Sequence, residues 1–417
     1  MNKRAWIRVA GCVLLFGAAL IAYPVAYHSE SRLRDTAFES LAVACSLADH
    51  GTFADPFYAL KTGPTAHLAP AYPAFLGMLV YHFGDGPRGA FALQWCATVF
   101  MGLQLALFPW AALRMGMGYA AGFLAACLWL AAGIPKFDLG ESTPYGALLL
   151  LLACLSFPRD GGAERGAVSV LAGILWGISW LLNPAGILVL AAWLAWMYFS
   201  RRLSGRRVAL TLLVPLAVVA PWMVRNRVAL NHFVFVRDNL GLELAVSNTD
   251  CANWSFEISR STGCFEALHP NISLPEAQKL LAVGEVEYNR RRMQEALHWI
   301  GANPKRFGEL TAQRFAVFWL PSLGHFPWEQ KEDVPRRRFL ISALTVASIP
   351  GLVLLWLRQR LAALWCLAWL VLFPPVYYVT QYIERYRNPI LWVTFLPAAY
   401  FLVEVTRLMF REQAAGA

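Results

Sequence analysis

The stretch FLISALTVASIPGLVLLWLRQRLAALWCLAWLVLFPPVYYV, residues 339–379, consists of two apolar runs separated only by Arg358, Gln359 and Arg360. Each run has about the length that an α-helix needs to cross the hydrocarbon core of a bilayer, roughly 20 residues. A soluble protein would have to bury two such neighbouring runs completely. The stretch therefore predicts two membrane-spanning helices joined by a very short basic loop.

The composition of the whole chain agrees with this prediction. Of its 417 residues, 58% are hydrophobic and only 15% are charged, whereas an average soluble protein has about 25% charged residues. The net charge of +10 comes from basic residues in short loops between apolar runs, which is typical of membrane topology and not of a nucleic-acid surface. The composition excludes a soluble domain and predicts an all-α, polytopic helical bundle.

About ten runs are long and apolar enough to be spans. The N-terminal run has a basic flank but no small-residue cleavage site, so we expect a retained first span and not a signal peptide. The stretch 69–84 is ambiguous, and we expect an interfacial helix because an eleventh span would invert the basic loops that follow. The predicted spans are 6–27, 90–112, 119–135, 143–157, 167–182, 185–199, 208–222, 339–357, 361–379 and 389–408.

The short loops on one side of these spans are rich in Lys and Arg, which places both termini in the cytoplasm. On the other side lie two long regions, 28–89 and 223–338, before the C-terminal spans of 339–417. The first region begins with a helical pattern that ends at Gly51, and the second contains amphipathic helices. In one of these helices, which begins at Pro304, we expect Phe307, Leu310, Phe318 and the stem of Arg314 to lie on the bilayer surface. We expect one membrane domain, residues 1–417, with its polar site on the extracytoplasmic side.

Charged residues are almost absent from the interior of the predicted spans, whereas all eight His lie in the two outer regions. Ion-coupled transporters usually carry charged groups at mid-depth in the membrane. The pattern disfavours coupled transport and favours a polar site outside the bilayer.

Three arginines contradict the usual scarcity of basic residues in outer loops. Arg225 follows the span 208–222, and Arg385 and Arg387 lie in ERYRNP between the last two spans. Because a guanidinium binds two phosphate oxygens at once, these residues predict an anion held at the membrane surface. Contact with lipid head groups, or pairing with Glu384, is the alternative.

Carboxylates occur in the same outer regions. Asp35 and Glu39 are one helical turn apart, and Glu141 lies in a short outer loop. Transfer of a group to a hydroxyl needs a base near the nucleophile and cations near a leaving phosphate. Asp35 as the base or a metal-binding group, with the arginines on a phosphate, would supply both. Taken alone, each acid is more often a solvated surface residue.

Two cysteines, Cys251 and Cys264, share one polar outer loop. We expect a disulfide between them in an oxidising compartment, with two free thiols as the alternative. No CxxC or HExxH pattern occurs, so the sequence gives no support to a zinc site.

Several blocks, in order along nearly the whole chain, resemble the GT-C membrane glycosyltransferases. The resemblance is to the bacterial branch related to protein O-mannosyltransferases and lipid A aminoarabinose transferases. The PWMVRN and ERYRNP pieces are its most specific parts. The blocks are RDTAFESLAVACSLADHGTF (34–53), GPTAHLAPAYPAFLGMLVYHFG (63–84), GESTPYGALLLLL (140–152), LLNPAGIL (181–188), APWMVRNRVALNHFVFVRDNLGLELAVSN (220–248), GEVEYNRRRMQEALHWIGANPKRF (284–307) and ERYRNPI (384–390).

The resemblance implies transfer of a sugar from a polyprenyl-phosphate-linked donor to an extracytoplasmic acceptor, which is a protein, a lipid or a polysaccharide. It places the chain in the bacterial cytoplasmic membrane, with no certain cofactor and with a divalent cation allowed. It gives Asp35 the catalytic position and Glu141 that of the second-loop acid. The matching donor-phosphate residues are Arg225, Arg385, Tyr386 and Arg387, and the candidate substrate contacts are Glu39, His67, Tyr72, Asn226 and Asn239.

Two alternatives use the same features. A polyprenyl-lipid transporter or flippase would need a polar route through the bilayer, which the nearly charge-free spans disfavour. A non-catalytic assembly subunit would fit the stretch HLAPAYP (67–73), because Leu68 and Ala69 stand where the resembled family often has a basic residue and a proline.

Overall fold

The computed structural model of the 417-residue chain describes residues 3–33, 38–134, 141–158, 166–324 and 333–415. Within these ranges the chain is helical, and its only β-type pairings are two isolated bridges. The helices are α1 (Lys3–Ala22), α2 (Phe38–His50), α3 (Ala71–Phe83), α4 (Pro87–Arg114), α5 (Tyr119–Ala131), α6 (Ser142–Ser156), α7 (Gly166–Leu182), α8 (Ile187–Phe199), α9 (Gly205–Leu230), α10 (Leu240–Ser247), α11 (Phe256–Ser261), α12 (Cys264–Leu268), α13 (Leu274–Val283), α14 (Glu285–Ala302), α15 (Pro304–Trp319), α16 (Asp333–Arg358), α17 (Arg360–Leu372), α18 (Pro375–Val379) and α19 (Trp392–Ala415).

The apolar helices correspond one to one to the ten predicted spans. Six stretches are long and apolar enough to cross a membrane, namely α1, α4, α9, α16, α17 with α18, and α19. The other four, α5 to α8, are apolar but have only 13 to 17 residues. At 1.5 Å per residue these helices are roughly 20–25 Å long. The predicted all-α membrane bundle is confirmed.

Small residues let the long helices approach each other closely. At Gly351 of α16, an added Cβ would lie 2.0 Å from the carbonyl oxygen of Pro397 in α19. At Gly177 of α7, it would lie 2.5 Å from the Val218 side chain of α9. Close backbone contact of this kind is how helices associate within membranes, because lipid tails remove the hydrophobic driving force between spans.

The ambiguous stretch 69–84 forms α3, a helix of 13 residues. α3 packs against α2 and α4, and it is not among the candidate spans. This agrees with the expected interfacial helix. The helical pattern of the first outer region is also confirmed, because α2 ends at His50 and Gly51 follows with φ at +68°.

Helices α10 to α15 cover one end of the bundle. The sequence predicts that one side of α15, including Arg314, lies on the bilayer surface. The structure corrects this, since the Arg314 side chain is fully buried in protein. Its guanidinium donates to the side chain of Asn248 at 3.1 Å and to the carbonyl oxygen of Val379 at 3.1 Å. Arg314 therefore joins α15 to α10 and α18.

Candidate active site

A cavity of about 420 Å³ lies where α7, α8, α10, α17 and α18 converge. The start of α2 and the segment 380–386 complete its walls. Because these parts are distant in sequence, only the folded bundle brings them together. The lining residues are Glu39, Ser40, Leu68, Glu141, Asn183, Pro184, Ala185, Leu188, Arg237, Asn239, Leu240, Glu243, Leu372, Phe373, Pro375, Val376, Tyr377, Thr380, Arg385 and Tyr386.

Opposite charges meet in this cavity. Its carboxylates are Glu39, Glu141 and Glu243, and its guanidinium groups are Arg237 and Arg385. Groups of both signs in one partly enclosed space can bind an anion at one end and accept a proton at the other.

One wall of the cavity is apolar and open to the surroundings of the protein. Leu188 is 61% exposed, Leu240 is 47% exposed and Val376 is 36% exposed. The cavity therefore offers exposed apolar side chains as well as charged groups to a ligand.

Glu39 is held by two buried histidines. Its carboxylate oxygens lie 3.6 Å from Nε2 of His67 and 3.7 Å from Nε2 of His269. Burial works to raise the pKa of Glu39, but attraction to His67, His269 and Arg385 outweighs it and lowers this pKa to about 2. Burial likewise opposes the charge on His67, yet Glu39 raises the pKa of His67. Glu39 is therefore ionised, and its charge favours the protonated form of His67.

The same three side chains offer ligand atoms within 4.8 Å of one another, as a metal site would require. The sequence allows a divalent cation but does not point to these three ligands, because the residues are scattered along the chain. His67 fits a cation, since neither ring nitrogen has a hydrogen-bond partner among the described residues. His269 fits less well, because its Nδ1 accepts a hydrogen bond from the backbone N–H of Asn271 at 3.1 Å. A neutral imidazole with that acceptor carries its proton on Nε2, so Glu39 and His67 are the better ligands.

Glu141 lies just before α6 and lines the cavity. Its Oε1 accepts a hydrogen bond from Nδ2 of Asn183 at 3.1 Å. Asn183 in turn caps the short turn after α7, where its Oδ1 accepts from the N–H of Ala185 at 3.0 Å. The junction between α7 and α8 thus holds one oxygen of Glu141.

The ERYRNP motif forms a 3₁₀ turn, Glu384–Ile390. Glu384 accepts hydrogen bonds from Arg337 at 3.0 and 3.2 Å and from Arg338 at 3.3 Å. The ring of Tyr386 stacks on that of Tyr377, with centroids 4.6 Å apart. These contacts fix the turn so that Arg385 and Tyr386 line the cavity, as their predicted donor-phosphate role requires.

Arg387 is placed differently. Its side chain is 3% exposed, and Nη1 donates to the carbonyl oxygens of Phe318 at 3.0 Å and Trp319 at 2.7 Å. Nη2 donates to the hydroxyl of Thr345. The guanidinium does not line the cavity, and its contacts close the end of α15.

Arg225 also lies outside the cavity. It donates to the carbonyl oxygen of Thr65 at 2.6 Å and to that of Phe53, and its guanidinium lies over the ring of Trp222. Among the other predicted contacts, Asn239 lines the cavity. Asn226 does not, because it is fully buried and donates to the carbonyl oxygen of Val234.

Two of the predicted site residues, Tyr72 and Asp35, remain to be located. Tyr72 is buried in an apolar cluster with Leu41 and Leu76, so it does not reach the cavity. Asp35, the predicted catalytic acid, lies outside the described residues.

Three residues near the cavity were missed by the sequence interpretation. Arg237 donates from Nε to Oδ1 of Asn239 at 2.9 Å, and Nδ2 of Asn239 donates to Glu243 at 3.3 Å. The segment VRDNLGLEL was available as a signal for Arg237 and Glu243, since it holds both beside the predicted Asn239. His269, the third, has no such signal because it is far from Glu39 in sequence.

The structure contains the predicted disulfide between Cys251 and Cys264, whose Cα atoms are 5.7 Å apart. The loop that it closes pairs with the segment leading to Arg385. The N–H of Tyr382 donates to the carbonyl oxygen of Trp254 at 2.9 Å, and the N–H of Phe256 donates back to that of Tyr382 at 3.1 Å.

No protein-family model and no curated protein sequence matches the chain. Solved structures do match. An oligosaccharyltransferase, AglB from Archaeoglobus fulgidus, in complex with an inhibitory peptide and a dolichol-phosphate, is 14% identical with a TM-score of 0.56, over 100% of this chain and 52% of that one. The oligosaccharyltransferase of the same organism in complex with Zn and sulfate is 16% identical with a TM-score of 0.56, over 96% of this chain and 50% of that one.

The chain thus spans about half the length of the archaeal enzyme that it matches. ArnT from Cupriavidus metallidurans bound to undecaprenyl phosphate is 15% identical over 96% of this chain and 78% of that one, at a TM-score of only 0.41. At these identities the likeness concerns the fold. The chain is a multi-pass, all-α membrane protein that shares its fold with the archaeal oligosaccharyltransferase.

Proposed function

We propose that the chain is a glycosyltransferase that moves a sugar from a polyprenyl-phosphate-linked donor to an acceptor on the extracytoplasmic side of the bacterial cytoplasmic membrane. The observation that carries the proposal is the cavity, which combines two guanidinium groups, three carboxylates and an open apolar wall. The oligosaccharyltransferase with the same fold was solved with a dolichol-phosphate, a ligand that likewise joins a phosphate to a long hydrocarbon chain.

The donor phosphate would lie between Arg237 and Arg385. Guanidinium groups stabilise the negative charge that develops on a leaving phosphate, and they do so most strongly in a site that excludes water. The hydrocarbon chain would follow the wall formed by Leu188, Leu240 and Val376. In this pose the sugar faces the carboxylates.

In the reaction, a hydroxyl oxygen of the acceptor attacks the anomeric carbon of the sugar. The bond between that carbon and the phosphate oxygen breaks, and its electron pair stays on the phosphate. The acceptor proton passes to a carboxylate, for which Asp35 and Glu141 are the candidates. A divalent cation, if held by Glu39 and His67, would neutralise charge on the phosphate.

Mass spectrometry of glycans and lipids from a deletion strain tests the proposal. We expect one glycoconjugate to disappear and to return with the wild-type chain. Arg237→Ala and Arg385→Ala should each lower it by at least about tenfold, as removal of charge stabilisation at a reacting centre does. The matched control is Arg290→Ala, because Arg290 is an exposed residue of α14 that pairs with Glu287 at 2.6 Å.

Full restoration by the double variant Arg237→Ala with Arg385→Ala would overturn the phosphate assignment. Asp35→Asn separates an enzyme from a transporter or an assembly subunit, because a well-expressed but inactive variant indicates chemistry. A deletion strain with unchanged glycans and lipids would overturn the function as a whole.

A further inference from the structure

The carboxylate of Glu285 is buried outside the cavity and binds a segment 219 residues earlier in the chain. Its Oε1 accepts a hydrogen bond from the backbone N–H of Ala66 at 2.6 Å. Its Oε2 accepts from the hydroxyl of Thr65. Only 7% of Glu285 is exposed, so both bonds form away from water, where a hydrogen bond is stronger than in solution.

These bonds continue to His67. The hydroxyl oxygen of Thr65, which donates its proton to Glu285, accepts a hydrogen bond from the backbone N–H of His67 at 2.9 Å. His67 then places its Nε2 at 3.6 Å from Glu39, and Glu39 lines the cavity. A continuous series of contacts therefore runs from Glu285 through Thr65 and His67 to a carboxylate of the site.

The position of Glu285 suits a fixed anchor. It is the first residue of α14, where the helix dipole favours a negative charge. One turn later, the side chain of Asn289 accepts from the N–H of Leu242 at 3.2 Å and donates to the carbonyl oxygen of Asp238 at 2.9 Å. The start of α14 thus holds two segments, 238–242, which supplies Asn239 and Leu240 to the cavity, and 65–67, whose His67 contacts the cavity residue Glu39.

We propose that Glu285 is a positioning residue of the candidate active site, which acts through the hydroxyl of Thr65 to hold His67 against Glu39. The inference rests on the proposed function for its effect on transfer, but the contacts themselves can be tested without it. Displacing His67 would leave Glu39 with only one of its two buried partners, His269, and would let it turn away from its place in the cavity wall.

The test compares Glu285→Gln, Thr65→Val and Thr65→Ser in the full-length chain. Glu276→Gln is the matched control, because Glu276 is a buried carboxylate of α13 that accepts from the Tyr288 hydroxyl at 2.7 Å and bonds to Lys279 instead of the segment 65–67. Hydrogen exchange of the peptide 64–69, resolved by mass spectrometry, reports whether the N–H of His67 keeps its partner. Restoration of the missing glycoconjugate in the deletion strain reports transfer.

We expect faster exchange in peptide 64–69 for Glu285→Gln and Thr65→Val, with transfer lowered about tenfold or more, since small displacements of reacting groups have effects of this size. Thr65→Ser keeps the hydroxyl and should resemble the wild type in both measurements, as should Glu276→Gln. Thr65→Val carries the test alone if Glu285→Gln does not fold.

If the peptide 64–69 exchanges at the wild-type rate in both Glu285→Gln and Thr65→Val, the proposal is overturned. It is also overturned if Glu276→Gln speeds up exchange in this peptide as much as Glu285→Gln does. If exchange changes as expected but the wild-type chain restores no glycoconjugate, the proposed function is wrong, whereas the proposal that Glu285 and Thr65 position His67 still holds. The two failures are therefore distinguishable.

Discussion

Replacing Glu39 by Gln should destabilise the protein, because it removes one charge from a buried pair while leaving the size of the side chain unchanged. Glu39 faces His67 and His269, and its side chain is 21% exposed. His67 would then lose the carboxylate that favours its charged form.

The magnitude follows from the pKa of Glu39, which is lowered from an ordinary value of 4.5 to about 2. Each pKa unit corresponds to about 1.4 kcal/mol, so the ionised carboxylate stabilises the fold by about 3 kcal/mol above pH 4.5. This contribution is lost as the pH falls from 4.5 towards 2, where the folded protein also takes up the proton.

The charge on His67 sets the upper pH limit of this stabilisation. Glu39 raises the pKa of His67 above 6.5, so the stability due to the imidazolium is complete below pH 6.5 and is lost as the pH rises through the raised value. The cost of Glu39→Gln should therefore be largest at about pH 5 to 6 and smaller in alkaline solution.

The assay is unfolding of the purified protein in detergent, followed by the fluorescence of its 17 Trp at pH 5.5 and pH 9. Glu295→Gln is the control, because Glu295 is 59% exposed and pairs only at the surface with Arg292 among the described residues. A cost below about 1 kcal/mol at pH 5.5, or an equal cost when His67 is already Ala, would refute the ion-pair argument.

Three further changes test other parts of the structure. Arg387→Ala should lower the free energy of unfolding by about 3 kcal/mol or more, because it leaves buried carbonyl groups without a donor; lost transfer at unchanged stability would instead indicate a role in binding. Replacing Cys251 and Cys264 together by Ser should cost about 3 kcal/mol in the same unfolding assay, and a stability equal to the wild type would contradict it. Gly351→Val should reduce the yield of folded protein, because its side chain would overlap α19; normal yield and melting temperature would show that these helices can separate.

The sequence predicted the helices well because each span depends on its own composition. An apolar run of sufficient length has to be helical within a membrane, whatever its neighbours are. The end of α2 likewise depends only on a nearby residue, because Gly51 follows the helix with a positive φ. In contrast, whether one side of α15 is exposed or buried depends on what packs against it. This explains why the location predicted for Arg314 was wrong.

The same distinction applies to the site. Arg385 and Arg387 are two residues apart in one turn, yet one lines the cavity and the other closes the end of α15. Composition and spacing cannot separate them, because the difference arises from where α15 ends. His269 was missed for a similar reason, since only the tertiary fold brings it to Glu39.

The cavity is assembled from residues that extend from Glu39 to Tyr386 along the chain. While the ribosome is still feeding earlier spans into the membrane, a nascent chain lacks the wall formed by Tyr377, Arg385 and Tyr386. A product that terminates before these residues can insert helices but lacks one wall of the cavity. The complete cavity therefore forms only after Tyr386 has been synthesised.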